Sequence, residues 1–276
     1  MARIRVGISG WTYPPWRGVF YPKGLAQRRE LEYAASLLST IEINGSFYSL
    51  QRPESYRDWH DRTPDDFVFA VKGGRFITHM KKLRDVDVPL SNFFASGVLA
   101  LGAKLGPVLW QLPPNLGFDA ARVGDFLAKL PRTTGEAARL AAQHDARLEG
   151  RALITCEVDR PLRHAVEVRH TTFETTVFTD LLREQDVAVV TADTAGKWPQ
   201  IMTPTTSDLA YVRLHGAEEL YTSGYDNPEL ERWARVLREW RDEGRDVYVY
   251  FDNDAKVRAP IDAQRLTEIL AGKPGN

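Results

Sequence analysis

The amino-acid sequence predicts a (β/α)8 barrel of the TIM type. Eight strand-like segments alternate with helical ones along 276 residues, with one helix skipped, and this is the pattern of a parallel sheet in an α/β protein of barrel size. The second observation is the polarity of the strands. In Val166-Glu167-Val168-Arg169-His170 the valines share one face while Glu167 and Arg169 share the other. Several other strands repeat this arrangement. An open sheet covered by helices on both sides needs apolar residues on both faces, so the polar faces are expected to point at one another inside a barrel.

The first strand, 4–9, sets Ile4, Val6 and Ile8 against Arg5, Gly7 and Ser9, and an aromatic loop (10–22) and a helix across 25–38 follow. Thr40 to Asn44 is the second strand, with Glu42 and Asn44 on its polar side. Pro53 opens a helix through His60. Strand three, 67–72, ends in Lys72, and two glycines then allow a tight turn into the basic loop 73–83. A helix over 89–105 leads to strand four, 107–112, which Pro113 and Pro114 stop. Asp119 is a predicted N-cap for a helix to Leu130, and 133–148 reads as another amphipathic helix. Residues 131–162 are therefore expected to be a helical insertion in a single domain spanning 1–276, and its least ordered part. Strand five is 166–170, with a helix over 176–184. Strand six, 187–191, reaches Asp193, but 194–208 has two prolines and no helical period. Strands seven (209–215) and eight (246–252) carry helices over 228–243 and 261–270.

Composition narrows the partners. With 36 basic and 37 acidic residues, no global charge recommends nucleic acid or an anionic membrane. A lone cysteine, Cys156, permits no intramolecular disulfide framework, and the N-terminus lacks the apolar run of a signal peptide. A cytoplasmic protein without a membrane span is the expectation.

Barrel enzymes place their sites at the C-terminal ends of the strands. Here those positions hold Ser9, Glu42, Asn44, Lys72, Gln111, Glu167, Arg169, Asp193, Arg213, His215 and Asp252. They can form a charge-compensated interior or a site. Burying many ions for stability alone is unfavourable, because desolvation commonly cancels the Coulombic gain, so a site is the preferred reading. Lys72, Arg169 and Arg213 suit a phosphate or carboxylate, and would repel a metal ion. Glu42 or Glu167 is a candidate general base, and His215 or His79 a candidate acid or base. Trp11, Tyr13, Phe47, Tyr48, Tyr221 and Tyr225 are available to stack on a sugar or base. The alternatives are a metal-dependent phosphoesterase or isomerase built on Glu42, Glu167, Asp193, His215 and Asp252, and a non-catalytic binding module. No HExxH, CxxC, P-loop or GxSxG sequence is present, and no cofactor is indicated.

The segments GISGWTYPPWRGVFYP (7–22), IEINGSFY (41–48), FAVKGGRFITHMKKL (69–83), WQLPPN (110–115), VEVRH (166–170), YVRLHG (211–216) and VYVYFDND (247–254) resemble, in order, the YecE-like family, a domain of unknown function numbered 72. The resemblance implies a TIM-type barrel and leaves the activity open. It marks Trp11, Glu42, Asn44, Phe47, Tyr48, Lys72, Thr78, His79, Gln111, Pro113, Glu167, Arg169, His170, Arg213, His215, Gly216, Tyr221, Tyr225, Asn253 and Ala259 as recurring residues. Two departures stand out: Asp252 where asparagine is expected before Asn253, and a longer stretch at 131–162.

Overall fold

The computed structural model describes residues 2–202 and 206–272. Eight parallel strands close into a barrel in chain order: β1 (Ile4–Ser9), β2 (Thr40–Ile43), β3 (Val68–Lys72), β4 (Leu105–Gln111), β5 (His164–Glu167), β6 (Ala188–Asp193), β7 (Leu209–Leu214) and β8 (Asp246–Phe251). β8 pairs back onto β1 from Ile4↔Val247 to Ile8↔Phe251, so no strand edge is left open. The fold class is a (β/α)8 barrel.

Strand parity divides the apolar residues into two cores. Val6, Ile8, Ile41, Ile43, Val166, Val212 and Val249 pack outward against the helices. Ala70, Leu109, Ala165, Ala188, Val190 and Ala192 face inward beside Tyr211 and Tyr250. The small inward residues leave room for the tyrosine rings, which lie 5.1 Å apart. Gly7 is required here, since a Cβ would sit 1.9 Å from the Thr40 carbonyl oxygen.

The outer layer comprises α1 (Glu30–Leu37), α2 (Gly45–Tyr48), α3 (Pro53–Asp61), α4 (Asp87–Ala95), α5 (Ala120–Ala128), α6 (Thr134–Ala141), α7 (Thr176–Glu184), α8 (Asn227–Asp242) and α9 (Arg258–Leu270). Side chains that satisfy free backbone N–H groups set several starts: Asp119 for α5, Thr133 for α6, Thr175 for α7, and a reciprocal Asp226–Glu229 box for α8. Among the described residues between β6 and β7 there is no α-helix, in keeping with the skipped period. No described helix is long and apolar enough to cross a membrane.

Several boundaries differ from the sequence expectation. The helix expected over 89–105 ends at Ala95, because Gly97 turns the chain at φ 115 with its Cβ position 2.5 Å from Pro53 Cα. A 3-10 run, Val98–Lys104, follows it. The helix expected over 133–148 stops at Ala141, and Asp145 caps a separate 3-10 turn, Ala146–Leu148. β5 is His164–Glu167 rather than 166–170: pairing with β4 ends at Gln111↔Glu167, and His170 turns to cap the next 3-10 turn. α2, a single turn directly after β2, was not anticipated. The 131–162 stretch, expected to be the least ordered, is bonded within itself and to its neighbours, with Arg160 Nη2 donating to Leu105 O at the start of β4 (2.6 Å). The Thr134 N–H donates to Arg160 O (2.9 Å), Leu162 N–H to Arg132 O (2.8 Å) and Leu153 N–H to Ala95 O (2.8 Å), while Ala137, Ala141 and Leu148 are fully buried.

Candidate functional site

The polar inner face resolves into two tiers. The lower tier is centred on Arg213 of β7, whose side chain is wholly buried. Its Nε and Nη2 donate to Glu42 Oε2 (3.1 Å) and Oε1 (2.9 Å), Nη1 to Glu167 Oε2 (2.7 Å), and Nη2 to Asp252 Oδ2 (3.0 Å). Glu42 also accepts from Ser9 Oγ (3.0 Å) and Tyr211 OH (2.7 Å). Burial opposes ionisation at Glu167 and Asp252, but the guanidinium groups of Arg169 and Arg213 at the first, and that of Arg213 together with the neighbouring His215 ring at the second, hold both carboxyls below the usual range. His215 Nδ1 lies 3.0 Å from Asp252 Oδ2 but off the hydrogen-bonding direction, so it is left without a hydrogen bond.

The upper tier lines an open cavity of about 730 Å³ at the C-terminal ends of the strands. Its walls include Tyr13, Asn44, Phe47, Tyr48, Lys72, Arg75, His79, Gln111, Arg169, Tyr221, Asp252 and Asp254. Lys72 ends β3, where Ser46 Oγ donates to its carbonyl (2.7 Å) and to that of Ile43 (3.0 Å), tying α2 to both strands. Among the described residues its ammonium makes no ion pair or hydrogen bond. It rests 4.5 Å from the centre of the Phe47 ring. Burial, then the Arg213 charge, lower its pKa from 10.5 to about 8 against the weaker pull of Glu42, Asp252 and Glu167.

Arg169 lies just past β5, clamped on three sides. Nε donates to Glu167 Oε1 (2.8 Å), Nη2 to Tyr221 OH (3.3 Å), and the guanidinium lies 3.9 Å from the centre of the Trp198 ring. Nη1 has no partner among the described residues. Arg75, at the rim, makes no ion pair among the described residues and lies over Tyr48, which is 68% exposed. The loop after Arg75 is a single π-helical turn, Phe76–Met80, that presents His79. Thr78 Oγ1 holds His79 Nδ1 (2.9 Å), and burial with the charges of Arg169 and Lys72 lowers the ring's pKa to about 4. Asp254, on the opposite wall, is shifted upward by burial and by Asp252.

Of the residues expected at the site, Asn44, Tyr48, Lys72, His79, Gln111, Arg169 and Tyr221 line the cavity. Glu42, Glu167, Arg213 and His215 lie beneath it. Arg213 is therefore not free to bind a ligand anion, and Glu42 has both oxygens engaged. Trp11 packs edge-on to Trp59 (5.3 Å) outside the barrel. Tyr225 accepts from the Gly216 N–H, and Asn253 donates to Ser223 O and Asp262; both support loops rather than the cavity. Asp193 corrects the metal reading: Ala192 faces inward, so Asp193 points to the helix side near Trp233. Among the described residues no three His, Cys, Asp or Glu side chains are grouped as a metal site, and Arg213 occupies the space between the remaining carboxylates. Arg75 and Asp254 were missed. Arg75 read only as one charge of the basic loop 73–83, and Asp254 lies past the strand end, although it continues the inward parity of Tyr250 and Asp252.

Fold and site together define a (β/α)8-barrel protein with a cation-bearing, tyrosine-walled cavity at its C-terminal mouth. The chain belongs to the family described as protein of unknown function DUF72, whose family model matches residues 5–276. It is 23% identical to UPF0759 protein YunF of Bacillus subtilis, over 97% of this chain and 94% of that one. It is 30% identical to UPF0759 protein YecE of Escherichia coli K12, over 46% and 44% of the two chains. Crystal structures of DUF72 family proteins share the fold. The one from Thermotoga maritima has a TM-score of 0.77 at 24% identity, covering 97% of this chain and 99% of that one. One from Enterococcus faecalis has a TM-score of 0.75 at 17% identity, covering 98% and 96%.

Proposed function

We propose that the cavity binds a small hydroxylated molecule bearing a phosphate or carboxylate, of the sugar-phosphate kind. The observation that carries this reading is Lys72, a buried cation that lines the cavity without an ion-pair partner among the described residues, beside the exposed Arg75, which makes no ion pair among them either, and an Arg169 whose Nη1 donates to none of them. A buried cation without a partner is costly, and an anionic ligand supplies the missing charge. Glu167 serves as the positioning residue of Arg169. The rest of the wall suits hydroxyl groups: Asp252 and Asp254 accept hydrogen bonds, and the side-chain oxygen of Asn44, at the end of β2, is buried without a partner among the described residues. Phe47, Tyr48 and Tyr221 offer ring faces and edges to a sugar. For proton transfer within the cavity, His79 and Asp254 replace Glu42 and His215 as the accessible groups.

Titration calorimetry with glucose 6-phosphate, glucose and sulfate tests this reading. Glucose 6-phosphate is expected to bind more tightly than either of the others. Arg169→Ala should weaken both anions, and Asp254→Asn only the sugar phosphate. Neither anion binding at millimolar concentration would overturn it.

A further inference from the structure

Lys72 differs from the other two cations that ring the base of the cavity, Arg169 and Arg213. Arg213 is held by three carboxylates and Arg169 by one, whereas the Lys72 amine faces the cavity beside an aromatic ring. Anion binding uses the charge of Lys72 but does not require its amine to be buried against an aromatic ring. Burial beside a second cation, without a partner to fix the proton, is the environment in which a lysine becomes a nucleophile.

We infer that Lys72 is a Schiff-base nucleophile, and that the ligand taken by the cavity is an aldehyde or ketone carrying a phosphate or carboxylate. The inference rests on the anion-binding reading above, with Arg169 and Arg75 holding the anionic group and so presenting the carbonyl carbon to Nζ. In the step, the lone pair of the neutral amine forms a C–N bond to the carbonyl carbon, and the C=O π pair moves to oxygen. That oxygen takes up both amine protons in succession and leaves as water while the nitrogen lone pair closes the C=N bond. Amine plus carbonyl thus gives imine plus water, with no oxidant or reductant. His79, neutral at physiological pH and with Nδ1 occupied by Thr78, has Nε2 available to relay these protons. With its pKa near 8, Lys72 carries on the order of a hundredfold more free base at neutral pH than a solvated lysine.

The experiment treats the whole protein with dihydroxyacetone phosphate and sodium borohydride, followed by intact mass measurement and peptide mapping. The expected result is one added ligand less one oxygen, on Lys72. Excess sulfate should suppress it, and unphosphorylated dihydroxyacetone should label Lys72 far less. Lys72→Arg should lose the label while still binding sulfate, which shows that the variant is folded. Labelling of Lys72 no greater than that of the surface residues Lys81 and Lys256, or indifferent to sulfate, overturns the inference. If sulfate binds in calorimetry and Lys72 is still not labelled, the Schiff base is refuted and anion binding stands. If sulfate does not bind either, both are refuted.

Discussion

Replacing Lys72 by methionine is expected to stabilise the protein. The substitution keeps an unbranched apolar stem, one atom shorter, and removes an ammonium that no described carboxylate pairs. The cost of that ammonium follows from its proton affinity: the fall from 10.5 to about 8, at 1.36 kcal/mol per pH unit, is on the order of 3 kcal/mol. The sign is fixed by linkage. Between about pH 8 and 10.5 the unfolded chain binds a proton at Lys72 that the folded chain does not, so native stability rises with pH in that window and the penalty is complete below it. The difference between Lys72→Met and native protein should therefore be largest at pH 7 and close to zero by pH 10.5. Urea denaturation of both proteins across this range measures it, and taking the difference cancels the other titrating groups. A variant no more stable than the native protein at pH 7, or a difference that does not shrink on raising the pH, would refute the claim that this cation is uncompensated.

Three further outcomes follow from the same geometry. Arg213→Met removes the ion-pair partner of the buried Glu42 and one partner each of Glu167 and Asp252, and should cost about 3–5 kcal/mol, a Tm loss on the order of 10 °C. The pH dependence should also reverse. Native protein loses stability as pH falls below about 4, where the depressed carboxyls must take up protons, whereas the variant should gain stability as pH falls from 7 towards 4; calorimetry at several pH values shows which. Gly73→Ala places a Cβ 2.3 Å from the Trp110 ring, and should lower stability by about 1–3 kcal/mol in chemical denaturation. Sulfate, which stays doubly charged, should bind less tightly as pH rises past about 8. In Lys72→Arg that fall should be absent up to pH 10, because a guanidinium does not titrate there.

Strand parity was enough to read the barrel and the inward position of Glu42, Lys72, Glu167 and Arg213, because side chains alternate strictly along a strand. It failed for Asp193, since the reading ran one residue past the inward Ala192. Depth was not legible. Glu42 and Asn44 share a face of one segment, yet the first is sealed under the cavity and the second lines it, and only the stagger of neighbouring strands separates them. The two readings weighed from sequence, a compensated interior and a site, are therefore both present, one above the other. Loop residues were less accessible still. Arg75 reaches the cavity because the chain after Gly74 winds into a π turn, and Tyr221 does so through a left-handed backbone at φ 64. Tyr221 was nonetheless named from its loop, whereas nothing in the spacing anticipates Arg75.

The two tiers also differ in how their energies are balanced. Below, Glu42 has every oxygen hydrogen-bonded and Arg213 is surrounded, which is the condition under which buried charge can be tolerated. Above, unfavourable features gather: an unpaired ammonium, a tyrosine in a backbone conformation that side chains disfavour, a buried Asn44 oxygen without a partner, and Asp254 held against its ordinary ionisation. Such features persist only where the surroundings enforce them. Here the enforcement is visible, because the lower tier fixes Arg169 through Glu167, and Arg169 in turn donates to the hydroxyl of Tyr221. The interior salt-bridge network is thus the support on which the strained mouth is built. A substitution at Glu42, Glu167 or Arg213 should disturb the proposed anion binding by releasing Arg169 and Tyr221, even though none of these three lines the cavity.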